Sequence, residues 1–194
     1  MSLKYVILAG LSEKPQTGYE LAKGMEGSIG LFWSATHQQI YRELGDLKKS
    51  GLVKFKEVLQ DDKPDKKLYT LTRAGLDELK SWIAQETELA PNKSALLVKL
   101  FVGHLVEADL LISEILRIRD IKARELEQYH KIENEHFRRP KNLSIEARFQ
   151  YMTLRRGIYD VEGWLAWADE VLVLLKGPLG RNRKKFETRL HTSS

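Results

Sequence analysis

The sequence predicts a mainly α-helical chain with one small β-hairpin, and three observations carry that reading. Apolar residues recur at spacings of three and four through most of the 194 residues. The period switches to strand-like alternation once, across residues 52–72. The final third carries an apolar heptad seam with unusually clear stop signals after it.

The elements follow in order. Residues 3–11, LKYVILAGL, are apolar enough for a buried first helix. Pro15 and Gly18 bracket a turn, and Thr17 suits the N-cap of a short helix carrying Tyr19, Leu21, Ala22 and Met25. Gly24, Gly27 and Gly30 loosen the chain into a loop ending near Trp33. A third helix follows over 34–50, with Ser34 as candidate cap, Ile40, Leu44 and Leu47 on its apolar face and Gly51 as its stop. LVKFKEVL at 52–59 and KLYTLT at 67–72 read as two strands joined by the polar turn QDDKPDK. Thr72 then caps a helix reaching about Gln85.

Beyond it, a short helix runs from Lys93 to Val102 and a long polar-faced one from Glu107 to His136. RRPKN at 138–142 breaks the chain, and Asn142 or Ser144 caps a last helix that ends at Gly177–Pro178. In that helix Tyr151, Leu154, Ile158, Val161, Leu165, Ala168, Leu172 and Leu175 alternate in spacing between three and four. A second stripe, Trp164, Trp167, Val171 and Leu174, runs beside it. Two stripes on one helix both need cover. The neighbouring helices supply cover for one, and a second chain is expected to supply the other, with the seam from Leu154 to Leu175 assigned to dimerisation. The expected organisation is a helix-and-hairpin domain over 1–88, an antiparallel helical dimerisation domain over 89–177 and a basic, disordered tail over 178–194.

Charge and motifs exclude several classes. The net charge of +5 resides in residues 176–194, which hold six basic side chains and one acid; the remainder is balanced. The high pI therefore does not by itself mark the folded part as a nucleic-acid binder. There is no cysteine, which excludes disulfides and thiolate metal sites and fits a reducing, cytoplasmic setting. No signal peptide is expected from MSLKYVILAGLSEKP, and no stretch approaches the roughly 20 apolar residues of a membrane span. No nucleophile elbow, phosphate loop or dinucleotide fingerprint is present, so neither an enzyme nor a cofactor is expected. His130 and His136 lie about 240° apart on a helix, so no metal site is expected there.

The third helix carries the functional signal. Its non-apolar face opens with Ser34, Thr36, His37, Gln38, Tyr41 and Arg42. These side chains donate and accept hydrogen bonds to base edges, and helix N-terminal N–H groups favour phosphate. The acids Glu43 and Asp46 come later. Lys54, Lys56, Lys63, Lys66 and Lys67 lie on the hairpin or at its tip, interleaved with Asp61, Asp62 and Asp65. Helix–helix–helix–strand–strand–helix is the winged helix-turn-helix plan, in which the third helix enters the major groove and the hairpin lies along the backbone.

Several segments make a resemblance specific. LKYVILAGL at 3–11, TGYEL at 17–21, WSATHQQIY at 33–41, Leu44, Leu47, GLV at 51–53 and YTLTRAG at 69–75 together resemble the PadR family of bacterial transcriptional regulators. The C-terminal half, with WLAWADEV, is similar to the longer members with virulence-activator-like helices. The resemblance implies a homodimer binding a double-stranded DNA operator, with Ser34, Thr36, Gln38, Tyr41 and Arg42 near DNA and the wing on the backbone. Tyr19 and Tyr69 also match family positions. The loop 24–33 departs from the family by lacking basic residues. Relatives respond to small aromatic molecules, which makes Tyr151, Tyr159, Trp164 and Trp167 candidate effector walls; core or interface packing is the preferred account of them. The competing class is a winged-helix adaptor that binds protein and not DNA.

Overall fold

In the computed structural model the described residues are 3–24, 33, 35–58, 66–88, 91, 93–139 and 142–177. The expectations for Ser34, Lys63, the wing tip and the basic tail lie outside them. The chain divides into two compact units, Met1–Leu89 and Ala90–Ser194.

The first unit is built from helices α1 (Leu3–Glu13), α2 (Gly18–Gly24), α3 (His37–Lys49) and α4 (Arg73–Ile83) and a three-stranded antiparallel sheet. Its strands are β1 (Gln16–Thr17), β2 (Val53–Val58) and β3 (Lys66–Leu71), in the order β1-β3-β2. Ile7, Leu8, Ile40 and Leu44 are fully buried at its centre. β2 and β3 pair from Val53 opposite Leu71 to Val58 opposite Lys66. The alternation places Val53, Phe55 and Tyr69 on the core side and Lys54, Lys56 and Lys66 on the other. The sheet has one strand more than the sequence reading expected. β1 is only two residues long and carries no apolar alternation; it exists because Gln16 and Thr17 complete the free edge of β3 beside Tyr69 and Leu68. The Gln16 amide is buried and donates to the Gly10 carbonyl at 2.7 Å, closing the end of α1.

Polar ties fix the helices around this core. Lys4 Nζ and the Tyr5 hydroxyl both donate to Glu78 Oε1, at 2.6 and 3.1 Å, while the Tyr5 ring stacks on Trp82. The chain leaves α3 through Gly51 at φ +69°, a left-handed conformation that suits glycine. Thr72 caps α4, accepting from the Gly75 N–H and donating to the Gly51 and Leu52 carbonyls.

The second unit contains α5 (Ala95–Phe101), a short 3₁₀ turn at Gly103–Leu105, α6 (Ala108–His136) and α7 (Ile145–Lys176). Ser144, not Asn142, caps α7 by accepting from the Ala147 N–H. α6 and α7 form an antiparallel hairpin. Arg119 bonds Asp169 at 2.8 Å toward one end; at the other, Tyr151 and Arg155 bond Glu133 at 3.0 and 3.1 Å.

The heptad seam is largely covered within the chain. Leu154, Ile158, Val161, Ala168, Leu172 and Leu175 are all buried within this one chain, and Leu165 is half-buried. Within the chain, Leu111 and Ile115 of α6 pack against Ala168, Leu172 and Leu175 of the seam, so part of the stripe expected to serve dimerisation is covered by α6. The second stripe also turns inward in part, with Trp164, Trp167 and Val171 packed on the same cluster while Leu174 stays exposed. What α5 and α7 leave outward is another set: Leu97, Val98, Phe101, Phe149, Met152 and Val173.

Candidate nucleic-acid interface

The interface is built on α3. Thr36 is the N-cap and His37 the first helical residue. A reciprocal capping box holds this end. The Gln39 N–H donates to Thr36 Oγ1 at 3.2 Å, and the Thr36 N–H donates to Gln39 Oε1 at 2.8 Å. Thr36 is thereby occupied in holding the helix start and is less free to read a base.

Ile40, Leu44 and Leu47 lock the opposite face into the core, with exposures of 0%, 0% and 2%. His37, Gln38, Tyr41 and Arg42 are consequently all turned to solvent. Gln38 and Arg42 carry the donors and acceptors that suit adenine and guanine edges, and Arg42 makes no ion pair among the described residues.

α2 supports this face. Its own start is a second capping box, in which Thr17 accepts from the Glu20 N–H and Glu20 accepts from the Thr17 N–H at 2.7 Å. Those hydrogen bonds hold the Glu20 carboxyl below its ordinary pKa. Tyr19 is exposed and its ring lies 6.2 Å from that of His37, so the two form one aromatic edge. Tyr41 lies across Gly18, where an added Cβ would meet its ring at 2.5 Å. Sequence reading treated Gly18 as a turn residue only; the close approach to Tyr41 had no sequence signal because the two are 23 positions apart.

The wing contributes charge with an internal division. Lys54, Lys56, Lys66 and Lys67 are exposed. Lys66 adds a smaller attraction to the Thr17 hydrogen bonds that keep the Glu20 carboxyl ionised. Lys67 faces the other way and holds its ammonium 4.9 Å from the Phe55 ring centroid. Burial pushes the Tyr69 phenol up.

The four candidate effector residues do not converge. Trp164 and Trp167 meet edge to face at 5.7 Å and pack on Leu111, Ile115 and Ala168. Tyr151 sits against Phe137 at the other end of the hairpin. Thirteen residues of helix separate Tyr151 from Trp164, about 20 Å, so one small molecule cannot touch both within this hairpin. Tyr159 is exposed, with the Arg155 guanidinium 4.7 Å from its ring centroid. His130 approaches Glu133 at 3.4 Å, and among the described residues no group of three His, Asp or Glu is placed to hold a metal. Within the same residues no helix is long and apolar enough to cross a membrane.

A recognition helix with a locked apolar face, an exposed polar face and an adjoining basic β-wing defines a winged helix-turn-helix regulator. Comparison with known proteins gives the class its family. Residues 7–81 match the transcriptional regulator PadR-like family, and residues 92–176 match the virulence activator alpha C-terminal domain. The chain is 36% identical over 186 residues to the "Probable transcriptional regulator Rv1176c" of Mycobacterium tuberculosis, covering 91% of this chain and 98% of that one. It is 30% identical to the negative transcriptional regulator PadR of Bacillus subtilis, covering 89% and 97%. Among solved structures, the Vibrio cholerae virulence activator AphA matches with TM-score 0.76 and 32% identity over 90% of this chain and 98% of that chain. Bacillus subtilis PadR in complex with operator DNA matches in fold, with TM-score 0.79, 24% identity and coverage of 89% and 98%. The chain belongs to the PadR-like family of transcriptional regulators. Its relatives are regulators and not enzymes.

Proposed function

We propose that this chain is a cytoplasmic, homodimeric, sequence-specific DNA-binding repressor that reads a pseudo-palindromic operator with α3 and grips the backbone with its wing. The observation that carries the reading is the division of α3 into a buried apolar face and a solvent face of Gln38, Tyr41 and Arg42 beside exposed wing lysines. The Bacillus subtilis relative crystallised with operator DNA supports it by likeness. Gln38 and Arg42 supply base discrimination, whereas Lys67 and its neighbours supply affinity that is independent of sequence.

Dimerisation draws on the apolar surface that the C-terminal unit leaves outward. Phe101 is 87% exposed and Val98 66%, beside Leu97 in a shallow groove on α5. Ile145 and Phe149 on α7 are 70% and 65% exposed. These are two separate exposed apolar sets at opposite ends of α7, and large apolar surface left exposed marks candidate sites of association. A two-fold pair would present two recognition helices to half-sites about one DNA turn apart, ~34 Å.

Release by a small aromatic molecule is the regulatory part of the proposal. A Bacillus subtilis PadR structure in complex with p-coumaric acid supports the chemistry by likeness of fold. Trp164 and Trp167 are the reporters: their fluorescence changes on addition of hydroxycinnamic acids if the site is near them, and stays flat if they are packing alone.

The test of the whole reading is an electrophoretic shift with the promoter of the chain's own operon. Retardation at moderate salt is expected, and its absence overturns the proposal. An adaptor that binds no DNA would also lack the weak, steeply salt-dependent binding to arbitrary duplex that a DNA reader shows.

A further inference from the structure

Phe55 lies on the core side of β2, half-buried, with its ring tilted against Tyr69 at 5.6 Å. Two ammonium groups from different elements converge on it. Lys48 Nζ, from the last turn of α3, lies 4.6 Å from the ring centroid, and Lys67 Nζ, from β3, lies 4.9 Å from it. Both distances are within the range of cation–π attraction. Neither lysine has a carboxylate within ion-pair distance among the described residues. Their neighbours differ: Lys49 pairs with Asp46 at 3.1 Å, and Lys66 acts on Glu20. An aromatic ring restrains a lysine without neutralising it. The two cations are therefore gathered at the junction of recognition helix and wing, where no described carboxylate pairs with either, although Glu57 stands opposite Lys67 in the β2–β3 register.

We infer that Phe55 is a positioning residue that gathers Lys48 and Lys67 into one phosphate-holding site between α3 and the wing, its ligand the backbone of duplex DNA. The inference rests on the reading that this chain binds DNA through α3 and the wing. It adds Lys48, on the helix otherwise used for base reading, and gives Phe55 a role beyond packing.

The test is a salt titration of the full chain on a duplex of arbitrary sequence. Lys48→Ala combined with Lys67→Ala lowers the slope of log affinity against log salt by about 1 for each bound protomer, the loss of one phosphate contact at about 0.9. Phe55→Leu keeps the apolar contact and loses the ring; it weakens binding about threefold in the parent chain and not at all in the chain lacking both lysines. Phe55→Tyr retains parental affinity. An unchanged slope in the double-lysine variant overturns the inference. So does a Phe55→Leu loss that persists without the lysines, because that loss would be structural. Failure of the parent chain to bind any duplex at low salt overturns instead the DNA-binding reading beneath it.

Discussion

Gln38 and Tyr41 stand one helical turn apart on the same face, yet they depend on different supports. Gln38 is exposed, and its amide is the α3 group best suited to adenine. Gln38→Ala is expected to remove about 1–3 kcal/mol of discrimination between operator and scrambled duplex while leaving binding to arbitrary DNA nearly unchanged. Competition titrations against both duplexes check this. Tyr41 depends on Gly18 being bare. Gly18→Ala drives a methyl into the ring and is expected to destabilise the N-terminal unit by about 1–3 kcal/mol. Adding Tyr41→Ala opens the space, so the double variant melts above Gly18→Ala alone. A melt no higher than that of the single variant would contradict the contact.

At the scale of elements, caps and seams decide what was legible. The capping box at Thr36 predicts that Thr36→Ala lowers stability by about 1 kcal/mol, read as a shift of the thermal midpoint. The sequence reading named only Ser34 as cap; Gln39 three residues after Thr36 is the capping-box signal it did not use. The helices, the paired strands and the stop at Gly51 could all be read from period and turn chemistry. β1 could not, because two residues carry no periodicity and its pairing partner lies some fifty residues away. The exposed face of α3 was legible because Ile40, Leu44 and Leu47 fix which side of the helix is inward; its base-reading role is the proposal. The seam of α7 was open to two readings for a physical reason: a heptad repeat specifies a packed partner helix without stating whether that helix is in the same chain. Here it is α6.

The same hairpin gives a pH expectation. Burial pushes the Glu133 carboxyl up, but hydrogen bonds from Tyr151, Arg155 and His130 outweigh it and hold the group below its ordinary value. A depressed carboxylate contributes stability above the ordinary carboxylate range and loses it as pH falls through the folded-state value. Acid unfolding of the chain should therefore be less steep in Glu133→Gln, whose neutral amide has no proton to take up. Denaturation curves between pH 7 and pH 3 measure it, and superimposable acid limbs for the two proteins would contradict it.

For the whole molecule, core and outward surface predict opposite outcomes. Ile158 is fully buried, and Ile158→Ala is expected to lower stability by about 2–5 kcal/mol. Phe101 is almost fully exposed, so Phe101→Glu is expected to leave helicity intact and shift the chain toward monomer in light scattering. Reversal of these outcomes would return dimerisation to the seam.

Filling that seam within one chain separates folding from assembly. A chain whose hairpin core is complete before it meets its copy need not unfold when the pair comes apart. The proposed dimer is then a reversible encounter between two finished bodies, and each body alone carries a single reading head. In the range where monomer predominates, occupancy of a two-half-site operator rises with the square of the protein's concentration. Control of abundance thus becomes a sharper control of the promoter than either reading head provides alone.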